Sequence, residues 1–178
     1  MLEIELKILD IDITKTTDKI LQLGGILIGK EKIIDRCYDF EDGKIDKEKN
    51  LLRLRNKGGE SKLTFKHHHH DEKDFLVVEE TETEVGDFDK MNNILLGIGL
   101  NVIRDAEKKR TSFVLGNLKI EIDEYPKIPP YFEVEGPKED IMNFLSKMGY
   151  DFNQTTSETA SEVMRRYSVD PSNLKFDN

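Results

Sequence analysis

The chain has 178 residues, the size of one domain, with 37% apolar and 35% charged residues and a formal net charge of −9. That acidic balance argues against a nucleic-acid binder, which depends on surplus Lys and Arg, and no apolar run approaches the roughly 20 residues a membrane-spanning helix needs. The single cysteine, Cys37, rules out an internal disulfide, and the charged N-terminus lacks the apolar segment of a signal peptide, so a soluble, cytoplasmic protein is expected.

In chain order, residues 2–9 read as a strand. Glu3, Glu5 and Lys7 share one face and Leu2, Ile4, Leu6 and Ile8 the other, because side chains two apart in a strand point the same way. Thr14 to Leu23 reads as a short helix closed by Gly24-Gly25. Residues 26–40 form a second strand ending near Tyr38-Asp39-Phe40, and the polar stretch Glu41 to Asn50 reads as a loop. Leu51 to Arg55 and Lys62 to Lys66 pair across Gly58-Gly59. Phe75 to Val85 is another strand. Asp87 caps a helix whose Phe88, Met91, Ile94, Leu95 and Ile98 lie on one face. An extended stretch begins at Val102-Ile103. Lys109 to Leu115 and Leu118 to Tyr125 flank a Gly116-Asn117 turn, and Tyr131 to Glu135 follows the Pro129-Pro130 break. Pro137 opens a helix with Ile141, Phe144, Leu145 and Met148 inward and Gly149 at its end. Ser157 is the expected cap of a last helix reaching about Tyr167, and the polar tail from Ser168 is expected to be loose. Each half runs strand, helix, then several strands. The expectation is one α+β domain over residues 1–167, with about eight antiparallel strands and helices outside, followed by a tail over 168–178.

The charges alternate strand by strand. Arg53 and Arg55 share a face, as do Lys62, Thr64 and Lys66, then Glu80, Glu82 and Glu84, then Glu121 and Asp123, then Glu133 and Glu135. Any one such strand reads as an ordinary amphipathic strand with its charges in water. Taken together they read differently. The helices supply apolar faces to cover the apolar side of the sheet, and the charges are sorted by sign, basic on the central hairpin and acidic on the first and late strands. A sheet curled into a barrel would turn these faces inward together. Buried unpaired charge is expensive, so such an interior calls for a polyanion held by Arg and Lys and a hard divalent cation held by carboxylates. A triphosphate with its metal meets both demands.

Glu3-x-Glu5-x-Lys7, Arg53-x-Arg55, Lys62-x-Thr64-x-Lys66, Lys108-Lys109-Arg110 and Phe132-Glu133-Val134-Glu135 stand in an order that resembles the CYTH superfamily of triphosphate tunnel metalloenzymes. The superfamily includes class IV adenylyl cyclases, thiamine triphosphatases and inorganic triphosphatases. The likeness runs from Met1 to about Tyr167 and departs at Val78, where cyclase-like members carry Arg, and in the last helix, which lacks a Ser-Tyr pattern. What it implies is an eight-stranded closed or nearly closed antiparallel barrel with substrate in a tunnel. By matching positions, Glu3, Glu5, Glu133 and Glu135 would hold Mg²⁺ or Mn²⁺, with Asp123 close by. Lys7, Arg53, Arg55, Lys62, Lys66, Lys108 and Arg110 would hold phosphates, Glu80 and Glu82 would be tunnel acids, and Arg165 and Arg166 are further candidate phosphate contacts. Arg suits the role because its planar fork grips two oxygens.

The activity so implied is metal-dependent hydrolysis of a triphosphate, whether inorganic tripolyphosphate, a nucleoside triphosphate or thiamine triphosphate. Lys7 and Glu5 are the catalytic candidates, and the general base is expected to be a tunnel carboxylate near Lys7. Two alternatives stay open: a class IV adenylyl cyclase making cyclic AMP and pyrophosphate, and a non-catalytic polyphosphate- or nucleotide-binding module. The expected partner is a small-molecule triphosphate, with neither nucleic acid nor membrane, for a monomer or homodimer. His67 to His70 read as a solvent loop rather than a metal site, since consecutive residues in extended chain rarely converge on one ion. Cys37 reads as a packed small residue.

Overall fold

The computed structural model describes residues 2–68 and 75–177, with side chains for 4–67 and 75–177. Its elements run β1 (Leu2–Ile8), α1 (Ile13–Gln22), β2 (Ile26–Asp39), α2 (Lys44–Lys47), β3 (Leu51–Lys57), β4 (Glu60–His68), β5 (Leu76–Val85), α3 (Phe88–Gly97), β6 (Asn101–Leu115), β7 (Leu118–Glu124), β8 (Tyr131–Glu135), α4 (Lys138–Met148), β9 (Thr155–Thr156), α5 (Ala160–Arg166) and β10 (Asn173–Leu174). Eight strands form a closed antiparallel barrel in the order β6-β2-β3-β4-β5-β1-β8-β7, with β7 returning to β6. β1 closes it, pairing on one edge with residues 76–79 and on the other with 132–135. The short β9 adds to β1, and β10 lies parallel to β6. The α+β barrel expected from the alternation is therefore present.

The apolar halves of the alternating strands face outward and are covered by helices. Leu6, Ile8, Phe113, Ile120, Ile122, Phe132 and Val134 pack against Ile20 of α1 and Ile141, Phe144 and Leu145 of α4. Each such side chain, fully buried, contributes ~1.5–3 kcal/mol. Phe132 and Phe144 meet edge to face with centroids 6.1 Å apart, the arrangement that aromatic quadrupoles favour. On another flank Tyr38 and Leu54 pack with Ile45 of α2 and Leu95 of α3. A third cluster sits at one end of the barrel. There Ala106, Tyr125 and Tyr131, which share their strands' faces with the interior charges, meet Val163 and Met164 of α5 and Leu174 of β10. α5 thus lies against the barrel's inner surface.

Four local readings differ. The polar stretch 41–50 contains α2, because the buried Asp39 carboxylate accepts the N–H groups of Ile45 at 2.8 Å and Asp46 at 2.9 Å. β6 is one strand of 15 residues, not an extended start followed by a later strand. The last helix is capped by Thr159 in a reciprocal box with Glu162, not by Ser157. The polar tail holds β10, with Leu174 buried and Lys175 paired with Asp105.

Candidate functional site

The inward halves of the strands enclose a cavity of about 990 Å³. β1 contributes Glu5 and Lys7, β2 Asp35, β3 Arg53 and Arg55, and β4 Lys62 and Lys66. β5 adds Glu80 and Glu82, β6 Arg104, Lys108 and Arg110, β7 Glu121, and β8 Glu133 and Glu135. On β1, β3, β7 and β8 these charges alternate with buried residues such as Leu6, Leu54, Ile122 and Val134, so covering the apolar face turns the charged face inward; on β5 and β6, whose outward neighbours are themselves largely polar, closure of the barrel does the same.

Most of the interior is paired, cation to carboxylate. Lys7, 1% exposed, lies 2.6 Å from Glu5 and 3.6 Å from Glu133. Burial opposes its charge, but Glu5 and Glu133 outweigh burial and hold the ammonium above its usual value. Arg55 grips Asp35 with two bonds of 2.6 and 2.8 Å; against burial, that guanidinium keeps Asp35 well below the usual carboxylate range. Lys62 meets Glu82 at 2.6 Å and Lys66 meets Glu80 at 2.8 Å across β4 and β5. Arg110 binds Asp123 at 2.6 and 2.5 Å, Glu133 at 2.8 Å, and Glu121. Lys108 also reaches Asp123, at 2.7 Å. Burial, joined by the neighbouring Arg110 charge, pushes Lys108 down to about 8 in spite of Asp123.

Arg53 and Arg104 differ. Among the described residues Arg53 touches only the Thr64 hydroxyl, at 3.5 Å, and Arg104 touches Ser161 Oγ at 2.6 Å and Cys37 Sγ at 2.9 Å. Both Nε atoms are buried without a hydrogen-bond partner. Burial and the adjacent Arg55 lower the Arg53 pKa.

The cavity thus gathers Glu5, Lys7, Arg53, Arg55, Lys62, Lys66, Lys108, Arg110, Glu133 and Glu135 of the residues expected from sequence. Asp123 is fully buried behind Lys108 and Arg110. Glu3 lies on β1 opposite Val78, with its side chain outside the described residues. Arg165 lines the cavity, while Arg166 pairs with Glu158. His67 is exposed at the end of β4; the His68 side chain, His69 and His70 lie outside the described residues. Cys37 is buried, as a packing residue should be, and burial pushes its thiol up. Asp35, Arg104 and Glu121 were not singled out as site residues. Arg104, on a face with Lys108 and Arg110, and Glu121, on a face with Asp123, carried the same alternating-charge signal as their neighbours; Asp35 did not, because Ile33 and Cys37 on its face are apolar. Among the described residues no group of three or more metal-ligating side chains is gathered around one point. Glu5 and Glu133 turn instead to Lys7 and Arg110, and Glu135 lies 3.5 Å from Lys119.

Compared with known families, residues 1–166 match the profile of the CYTH domain. The chain belongs to the CYTH family. Among solved structures, the PH1012 protein from Pyrococcus horikoshii OT3 shares its fold at a TM-score of 0.77 and 23% identity, covering 90% of this chain and 98% of that one. A candidate adenylate cyclase from Vibrio parahaemolyticus superposes at 0.81 with 16% identity, covering 93% and 98%. A candidate adenylyl cyclase from Hippeastrum, described by its dominant triphosphatase activity, superposes at 0.66 with 17% identity, covering 93% and 95%. No curated protein sequence matches significantly. The CYTH barrel is therefore the frame on which this charged interior is built, and no helix among the described residues is long and apolar enough to cross a membrane.

Proposed function

We propose that this CYTH protein hydrolyses a triphosphate held in the barrel. One observation carries the reading: the interior holds cations in excess of their carboxylate partners on β3 and β6, where among the described residues Arg53 and Arg104 bond only to neutral groups and Lys108 is pushed down to about 8. Arg53, Arg55, Lys62, Lys66, Lys108 and Arg110 would neutralise and align the phosphate chain. Phosphoryl transfer depends on such positioning and charge neutralisation more than on covalent chemistry. Glu5, Glu133 and Glu135 suit a hard cation by chemistry and by placement. They are oxygen donors on two adjacent strands, with Glu5 opposite Glu135 and Lys7 opposite Glu133 in the register. With Glu3 they would hold Mg²⁺ or Mn²⁺, which when bound supplies Lewis-acid charge stabilisation. Lys7 would face the developing charge on the attacked phosphoryl group. Glu5 would accept the proton as a water oxygen bonds to the terminal phosphorus and the bond to the pyrophosphate leaving group breaks.

The cavity also favours a second reading. Phe75, Leu76 and Val78 give its wall an apolar stretch, and at about 990 Å³ it is at the upper end of the size of small-molecule sites, ~300–1,000 Å³. A nucleoside triphosphate, and with it cyclisation to cyclic AMP, fits these features. Incubation with tripolyphosphate, ATP and thiamine triphosphate under Mg²⁺ and under Mn²⁺ separates the readings. Orthophosphate without cyclic AMP is the expected result; cyclic AMP from ATP would replace hydrolysis with cyclisation. Tight binding without turnover under either metal would leave a binding module.

A further inference from the structure

Resting on the tunnel as a polyphosphate site, we infer that Arg53 and Arg104 flank a separate anion subsite beside α5 that takes the outermost phosphoryl group of the bound chain.

The two guanidiniums stand on either side of one residue. In the barrel register Cys37 lies opposite Arg53 on β3 and opposite Arg104 on β6. Neighbouring strands are ~4.8 Å apart, so the two arginines start about two strand spacings from each other, with only a thiol between them. Their bonds go to neutral groups: Thr64 Oγ1 for Arg53, and Ser161 Oγ and Cys37 Sγ for Arg104. The ion pairs of Arg55, Lys7, Lys62, Lys66, Lys108 and Arg110 have no counterpart here among the described residues. Arg104 is 8% exposed and its Nε has no partner; the Nε of Arg53 is buried and likewise unpartnered. Burial and Arg55 lower the Arg53 pKa in spite of Asp35, whereas against burial Cys37, Tyr125 and Asp35 hold Arg104 above its usual value. Among the described residues neither guanidinium has a carboxylate within bonding distance, and a dianion between them would supply one to both.

A terminal phosphoryl group is that dianion, and its oxygens match the guanidinium fork. Ser161 completes the site. Its oxygen accepts from Arg104, which leaves its hydroxyl proton free for a phosphoryl oxygen. The position assigns the end of the chain rather than its middle. Ser161 belongs to α5, whose Val163 and Met164 are packed against the inward-facing Ala106, Tyr125 and Tyr131, so protein, not open tunnel, lies beyond it. Arg104 also ties α5 to the barrel. A purely structural tie would leave discrimination between ligand lengths unchanged, and the test turns on that difference.

The test is calorimetric titration of the full chain with tripolyphosphate and, separately, pyrophosphate, which is one phosphoryl group shorter. Both are run in EDTA, so that turnover does not intervene. In Arg104→Gln, tripolyphosphate affinity is expected to fall at least tenfold while pyrophosphate affinity stays within twofold, and Arg104→Lys recovers part of the loss. Cys37→Asp, which places a carboxylate between the two arginines and so needs no cation removed, is expected to show the same selective loss. Equal losses for both ligands in both variants, or undiminished tripolyphosphate affinity in a variant that melts like the parent, would overturn the subsite and leave the tunnel reading standing. A parent protein that binds neither ligand, in EDTA or with Mg²⁺ present, would overturn the tunnel reading and the subsite with it.

Discussion

Arg110 carries more ion pairs than its neighbours, holding Asp123, Glu121 and Glu133 at once. Replacing it by Met would take one cation from each of three carboxylates and leave the fully buried Asp123 to Lys108 alone, Glu121 to Lys119 and Glu133 to Lys7. Breaking one side of a buried charge cluster costs ~3–5 kcal/mol, so Arg110→Met should lower the denaturation midpoint by that equivalent. Arg110→Lys, with one point charge in place of a fork, should fall between. Glu121 gives this cluster a pH signature. Burial disfavours its charge, yet Arg110 and then Lys119 prevail and bring it from 4.5 to about 2. Because the folded value is the lower, the unfolded chain takes up the proton first as the pH falls. The contribution is complete above about 4.5 and is lost as the pH drops to about 2. By linkage it is on the order of 3 kcal/mol. Urea titrations across that interval should show a steep acid limb, and Glu121→Gln should flatten it. For binding and rate, Lys66→Ala should chiefly weaken triphosphate affinity and Glu135→Ala chiefly lower the metal-dependent rate. Equal kinetics in both variants would remove these two residues from the roles assigned.

At the level of elements, period-two alternation made the charged faces readable, because a strand with one face under helices must turn the other inward. Arg53, Arg55, Lys62 and Lys66 were found in that way. Where the alternation was cut short, residues were lost. β6 was read as beginning again at Lys109, so Arg104 was not joined to Lys108 and Arg110, although all three share one parity in an unbroken strand. α2 was hidden for another reason: four residues carry no period, and what holds them is the Asp39 carboxylate, a contact that exists only after folding. The end of β8 depends on the glycine that follows it. Gly136 has φ +151, a region that side chains rarely adopt, and a Cβ there would sit 2.8 Å from Leu118 Cδ2 and 2.9 Å from the Asn117 carbonyl oxygen. Gly136→Ala should therefore destabilise the fold by ~1–3 kcal/mol. Since Glu135 is the preceding residue, the rate under Mn²⁺ should fall further than the thermal shift alone accounts for.

For the whole molecule, closure is non-local. β1 is complete only when residues 76–79 and 132–135 have both arrived, so no short window of sequence displays it; the recurrence of charge along the chain was the available hint. Such distant pairings slow folding, and a single cooperative transition is expected, with β1 amides among the slowest to exchange. The barrel's pairing of nearly every interior cation has a further consequence for what can enter. Chloride offers too little charge to part Lys62 from Glu82 or Lys66 from Glu80. A multivalent guest that arrives with its own counterion can trade partners with several pairs together. The resting protein is in that sense an ion exchanger loaded with itself, and simple salts in its surroundings would pass it by.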